Sequence, residues 1–329
     1  MKILDTTIVK GKGYQLSMDI ARLHTRTKIE VPVIIERGRN PGPTLLLSAG
    51  IHGNEVNGVE IVRQIIAKGY NKPEAGTVIC VPVVNVFGFL NQSRLFPDGR
   101  DLNRVFPGSA KGSLASRFAH AFMEEIIPHA DYIIDYHTGG AQRFNYSQVR
   151  TVLSNEKSTE MARHFGAKFI IDAKQREKSM REAATDLGKT VLLFEGGKSL
   201  ALDKVVTNVG IWGAMRVMQY LGMRDFSAEL AGTRTENPVL VKESTWLRAK
   251  HSGMFRTYAR NGVLVKKGDL LGTISDPYGG FEKKVKAKED GYIICLNHAP
   301  IVNQGDALVH LATNYVTESK STSAATTAI

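Results

Sequence analysis

Five short apolar runs constrain this chain more than any other feature. "TLLLSAG" (44–50), "TVICVPVVN" (77–85), "ADYIIDYH" (130–137), "AKFIIDA" (167–173) and "TVLLFEGG" (190–197) are too continuously apolar for strands with one wet face. Between them lie stretches with helical spacing. These are "NEVNGVEIVRQIIAKG", where Val56, Val59, Val62 and Ile66 are expected to share one face, then "ASRFAHAFMEEIIPHA" and "DKVVTNVGIWGAMRVMQYLG". Strands alternating with helices imply an α/β fold: a mixed, partly parallel sheet flanked by helices on both faces. In such sheets ligands gather outside the carboxyl ends of the strands.

After about Met223 the pattern changes. "RDFSAELAGTRTENPV" is polar and turn-rich, and the remainder has short strands punctuated by Gly with little helical periodicity. It also repeats: "AKHSGMF" followed by "VKKGDLL" recurs as "AKEDGYI" followed by "VNQGDAL". Two similar β-halves are expected to pack as a small barrel-sandwich domain, with Gly268-Asp269 and Gly305-Asp306 forming turns. The expected organisation is an α/β domain over 1–225, a linker over 226–240, an all-β domain over 241–312 and a disordered tail over 313–329.

The 329 residues, 43% of them hydrophobic, suffice for a large core. The N-terminal stretch has no apolar signal-peptide core and no later run is long enough to span a bilayer, so a soluble, cytoplasmic protein without a membrane partner is expected. Cys80 and Cys295 each lie within an apolar run and read as buried small hydrophobes, so any metal must be held by His and carboxylate. The net charge of +11 is spread through stretches interrupted by acids, such as "EKKVKAKED". With no basic-aromatic motif beside it, this charge argues for an anionic small substrate or a solvated surface and against nucleic acid.

The loop "SAGIHGNEVNG" carries His52 and Glu55 between a strand and a helix, where both side chains can converge on one ion. Hydrogen bonding or helix capping is the bland alternative for such a pair. A catalytic zinc takes three N and O ligands and keeps a fourth position for water. His137, closing "DYIIDYH" before Gly-Gly, is the best third ligand, and Asp135, two residues earlier on the same strand face, is placed to orient it. Glu195, ending another apolar strand before two glycines, is placed to take a proton from water, unless it serves only the following turn. "SRLFPDGRDLNRVFPG" groups Arg94, Asn103 and Arg104 with Asp101, as a carboxylate grip or as arginines paired with Asp98 and Asp101 on the surface.

The ordered set "GIHGNE", "RDLNRVFPG", "DYHTGG" and "LLFEGG" resembles the succinylglutamate desuccinylase/aspartoacylase family, a branch of the zinc carboxypeptidase-like hydrolases, over most of residues 40–225. The resemblance implies one Zn2+ per chain on His52, Glu55 and His137, with Glu195 as general base and Arg94 polarising the scissile carbonyl. It further implies that Asn103 and Arg104 grip a substrate carboxylate, and that Arg181 in "KSMREAA" is a further substrate-binding arginine. The expected activity is zinc-dependent hydrolysis of the amide of a small anionic N-acyl amino acid. A zinc carboxypeptidase acting on peptide C-termini is the alternative.

The repeated half resembles, more loosely, lipoyl/biotinyl-type domains. Lys283 and Lys284 lack the flanking residues of an attachment site, so this half is expected to be a structural cap or a homo-oligomer surface.

Overall fold

The computed structural model describes residues 1–22, 26, 28–233 and 235–318. A short turn of β1 (Lys2–Ile3) and β2 (Thr6–Thr7) precedes the antiparallel pair β3 (Gly13–Arg22) and β4 (Lys28–Arg37). Next come β5 (Asn40–Ala49), α1 (Val56–Ala67), β6 (Ala75–Val81), α2 (Val86–Leu90), α3 (Leu114–Glu125), β7 (Tyr132–Gly139) and β8 (Arg143–Thr151). They are followed by α4 (Glu156–Phe165), β9 (Phe169–Asp172), α5 (Met180–Asp186), β10 (Thr190–Lys198), α6 (Lys204–Tyr220) and α7 (Ser227–Leu230). The remainder is strand: β11 (Val239–Arg248), β12 (Gly253–Thr257), β13 (Leu264–Val265), β14 (Leu270–Ser275), β15 (Glu282–Lys286), β16 (Gly291–Asn297), β17 (Ile301–Val302) and β18 (Ala307–Thr317).

All five expected strands and three expected helices are present, in a mixed α/β fold. The central neighbours β10, β7, β5 and β6 are parallel, and they lie within a twelve-stranded sheet whose other strands are partly antiparallel. Helices α3 and α5 cover one face, where Phe118, Phe122 and Met180 are buried. Helices α1, α4 and α6 cover the other, where Ile61, Phe165 and Ile211 meet the strand residues Leu45 and Phe194. Buried parallel strands lie under helices on both sides, which explains why their sequences show no alternation.

Helices α3 to α6 open on Ser113, Asn155, Ser179 and Asp203, and each of these side chains accepts the N–H three residues on. Helix α1 differs: Glu55 holds its N-cap position but caps nothing with its carboxylate. The buried face of α1 also departs from expectation. It is formed by Asn57, Gly58, Ile61, Val62 and Ile65, while Val56, Val59 and Ile66 are only partly buried. The cause is Gly58, where a Cβ would come within 2.9 Å of both the Cβ and the carbonyl oxygen of Tyr136. The helix makes its closest approach to the sheet through its smallest residue, with Val62 alone of the expected residues fully buried beside it.

The C-terminal strands are joined to this sheet. Val239–Val241 of β11 run parallel to Phe169–Ile171 of β9, and β16 pairs through Cys295–Asn297 with Arg143–Asn145 of β8. Strands β8, β9, β11, β18 and β16 therefore close a ring, with Phe169, Val239, Val241, Ile294 and Ala312 in one cluster. A four-stranded sheet, β15-β14-β12-β17, adds a further layer over Leu247, Phe255, Ile274, Leu296 and Leu308. The stretch 226–240, expected as a linker, holds α7 and the start of β11. The expected tail begins as strand, because β18 extends to Thr317, where its backbone finds partners on β11; residues 319–329 lie outside the described residues. Among the described residues no helix is long and apolar enough to cross a membrane.

The β5–α1 loop rests on α2. A Cβ on Gly53 would overlap the backbone of Gly88 and Phe89, so the loop carrying His52 and Glu55 sits where only glycine fits. Gly53→Ala is expected to lower stability by about 1–3 kcal/mol through overpacking. Denaturant unfolding checks this, and unchanged stability would show that the close approach does not constrain the loop.

Candidate metal centre

The carboxyl ends of β5 and β7 converge on one cluster, with the end of β10 alongside. His52, Glu55 and His137 are all buried, and each offers a ligand atom within 4.8 Å of the others. Glu55 lies at the centre. Its Oε1 is 2.8 Å from His52 Nδ1, its Oε2 is 2.9 Å from His137 Nδ1, and Oε2 also accepts the Thr138 N–H at 3.2 Å. This explains the uncapped helix: the carboxylate turns into the cluster instead of back onto α1.

Each histidine has a second carboxylate on its other nitrogen. Asp135 Oδ2 is 2.7 Å from His137 Nε2, and Asp101 Oδ1 is 3.0 Å from His52 Nε2. Asp135 is itself fixed by Ser48, whose hydroxyl donates to Oδ1 at 2.8 Å, and Asp101 accepts the Asn103 N–H at 2.9 Å. Burial opposes charge on both imidazoles, yet the flanking carboxylates outweigh it and raise both pKa values, that of His137 strongly. Burial likewise opposes ionisation of Glu55 and Asp101, but the histidines hold both carboxyls well below the usual range, with Arg94 adding to this at Asp101. Two imidazoles and a carboxylate with converging donor atoms, each histidine oriented from behind by an acid, match the donor set that zinc takes in hydrolases.

Glu195 sits beside His137 across the β10–β7 pair, its side chain mostly buried. Its Oε2 accepts from Asn145 Nδ2 at 2.6 Å, and Arg150 Nη2 lies 4.0 Å from its Oε1. A bulge makes this possible. Glu195 stands opposite Gln148 and Gly197 opposite Asn145, so β8 has one residue more than β10 between the two pairs. The extra residue turns Asn145 to the face that Gln148 and Arg150 share.

Arg94 Nη2 and Nε bind Asp101 Oδ2 at 2.8 and 3.1 Å, and Nη1 reaches Glu55 Oε1 at 3.2 Å. The arginine is thus both paired with Asp101 and set against the cluster. Asn103 is buried, and its Oδ1 accepts the Met180 N–H at 2.8 Å, which leaves its Nδ2 as the end with donors to spare. Arg104 is exposed, and its Nη1 donates to the Asn103 carbonyl. Arg181 is buried; its Nη2 donates to the carbonyls of Ala173 and Lys174, while its Nη1 has no partner. Burial, with Arg150 nearby, pushes its guanidinium down to about 10.

Residues 41–221 match the succinylglutamate desuccinylase/aspartoacylase catalytic domain. The chain belongs to this family. It is, accordingly, a hydrolase. Among curated relatives it is 25% identical over 297 residues, 86% of each chain, to the N-alpha-acetyl-L-2,4-diaminobutyric acid deacetylase of Halomonas elongata. It is also 32% identical to the succinylglutamate desuccinylase of Pseudomonas aeruginosa, over 134 residues that make up 38% of this chain and 39% of that one. The fold resembles that of a succinylglutamate desuccinylase/aspartoacylase from Rhodobacter sphaeroides, with a TM-score of 0.83, 22% identity and coverage of 97% and 100% of the two chains. It also resembles the product-bound ectoine utilization protein EutE from Ruegeria pomeroyi, with a TM-score of 0.81, 19% identity and coverage of 94% and 98%.

Three contacts in this family member escaped the sequence reading. Asp101 was visible within "RDLNRVFPG" but gave no sign that it would reach His52. Ser48 lies in the first apolar run and shows no polar pattern. Asn145 carried no signal, because the bulge breaks the alternation that would place it. Ser48→Ala is expected to cost about 1–3 kcal/mol, the penalty for a buried acceptor deprived of its donor. Urea unfolding measures this, and an undiminished midpoint would mean that Asp135 does not depend on the hydroxyl.

Proposed function

We propose that the protein is a zinc-dependent deacylase that hydrolyses the amide bond of a small N-acyl amino acid. The observation that carries this reading is the buried Glu55 carboxylate between His52 and His137, with Glu195 on the adjoining strand. The relatives named as deacetylase and desuccinylase support it. In this reading His52, Glu55 and His137 hold one Zn2+ per chain, with Asp135 orienting His137. Bound there, the ion would supply Lewis acidity, enough to bring the pKa of a water down to about 7.

The protein's own groups do the rest. Glu195 takes a proton from the attacking water and returns it to the leaving amine. Arg94, set at the edge of the cluster, polarises the acyl carbonyl. Asn103 through its Nδ2 donors and Arg104 through its guanidinium hold the substrate carboxylate, which fixes orientation and disfavours neutral amides. Arg181, with its unpartnered Nη1, is the further substrate-binding arginine in this reading.

We read 241–312 as the barrel-sandwich unit, beginning beyond an α/β domain over 1–225. With β16 seated on β8 beside Asn145, the C-terminal half borders the site in this reading, which favours a small substrate over an extended peptide.

Glu195→Ala is expected to keep bound metal while slowing turnover by at least ~10²-fold, the range for loss of a general base. Metal analysis with single-turnover kinetics checks both halves, and unchanged turnover would sink the assignment. Arg104→Ala is expected to raise KM for a carboxylate-bearing substrate far more than for its neutral amide analogue. Equal effects would place the arginine outside the substrate grip.

A further inference from the structure

The internal repeat of the C-terminal half creates a site that the hydrolase reading does not use. A cavity of about 430 Å3 is lined by Leu247, Arg248, Lys250 and His251 from the first copy and by Val285, Lys286, Ala287 and Lys288 from the second. Leu247 and Val285, Arg248 and Lys286, and Lys250 and Lys288 are each 38 residues apart, so they are equivalent positions of the repeat. The cavity therefore collects matching residues from the two halves, and Lys283 and Lys284 complete its rim.

Its chemistry is one-sided. Leu247, Ile274 and Ala287 are buried beneath a rim of five lysines and one arginine, all exposed. No acid lines the cavity, and among the described residues no ion pair joins any of these six cations to a carboxylate. Glu282 and Glu289 lie close in sequence but not in the lining, and Asp290 is taken by Lys266 Nζ at 2.9 Å. His251 lies against Phe281 with ring centroids 5.8 Å apart and the rings tilted at 51°, which sets aromatic surface beside the charge. Six like charges around one concavity repel one another and focus a positive potential that a multivalent anion would neutralise. The volume falls within the roughly 300–1,000 Å3 of small-ligand clefts.

We propose that this cavity binds a small multivalent oxyanion of the phosphate type. It lies on the repeat half, apart from the His52–Glu55–His137 cluster, and does not depend on the activity assigned there.

The test is calorimetric titration of the full-length protein with inorganic triphosphate and with adenosine triphosphate at near-physiological salt. Lys286→Gln combined with Lys288→Gln is the site variant, and Lys10→Gln combined with Lys12→Gln, exposed lysines elsewhere, is the control. Saturable triphosphate binding is expected, weakened about tenfold or more in the site variant through loss of charge-assisted contacts and left near its original strength in the control. Tighter binding of the nucleotide would identify a nucleoside phosphate as the source, with His251 contributing a base contact. Equal binding would identify the phosphate chain alone. Absence of saturable binding, or equal weakening in both variants, would overturn the proposal and reduce the effect to attraction by the net charge of the chain.

Discussion

The structure around the site depends on one buried carboxylate. Glu55 occupies the N-cap position of α1, where an acid would ordinarily serve the helix, and instead spans two imidazoles. A carboxylate this deep is costly to ionise without partners. Here it is held ionised by His52 and His137, which are in turn held by Asp101 and Asp135. The arrangement ties together the ends of β5 and β7 and the arginine-bearing loop. The packing follows the same demand: Gly53 lets the loop lie on α2, and Gly58 lets α1 approach Tyr136.

A second constraint comes from β8. This strand pairs with β10, β9 and β16, and its bulge delivers Asn145 to Glu195. Because β16 pairs with the same Asn145 through Cys295, the C-terminal half is fastened to the strand whose Asn145 bonds the candidate base on β10. The repeat half is therefore joined to the catalytic sheet at the edge of the site and is more than an appendage on a linker. Its own repeat produces a cationic cavity that neither copy could form alone.

Much of this was legible in the sequence, for identifiable reasons. Buried parallel strands have apolar runs that stand out in any reading, and the residues at their ends, His52, His137 and Glu195, inherit their positions from those runs. What could not be read depended on a departure from periodicity or on contact between distant segments. The α1 face shifted because its closest approach falls at Gly58, which leaves Val56 and Val59 at the margin and keeps Val62 buried. Asn145 was hidden by a bulge, and the partnership of Asp101 with His52 spans 49 residues. The lysines of "EKKVKAKED" looked like a solvated surface until the repeat brought Arg248 and Lys250 beside them.

The central claim is that the Glu55-bridged histidines hold a metal ion used in amide hydrolysis. The most direct measurement is the zinc content of the purified protein, coupled to release of free amine from a panel of N-acetyl and N-succinyl amino acids with and without chelator. The account predicts about one equivalent of zinc per chain, as a three-ligand site requires, with amine release from at least one panel member that chelation abolishes and zinc restores. Protein that neither carries nor takes up zinc, or amine release indifferent to the chelator, would contradict it.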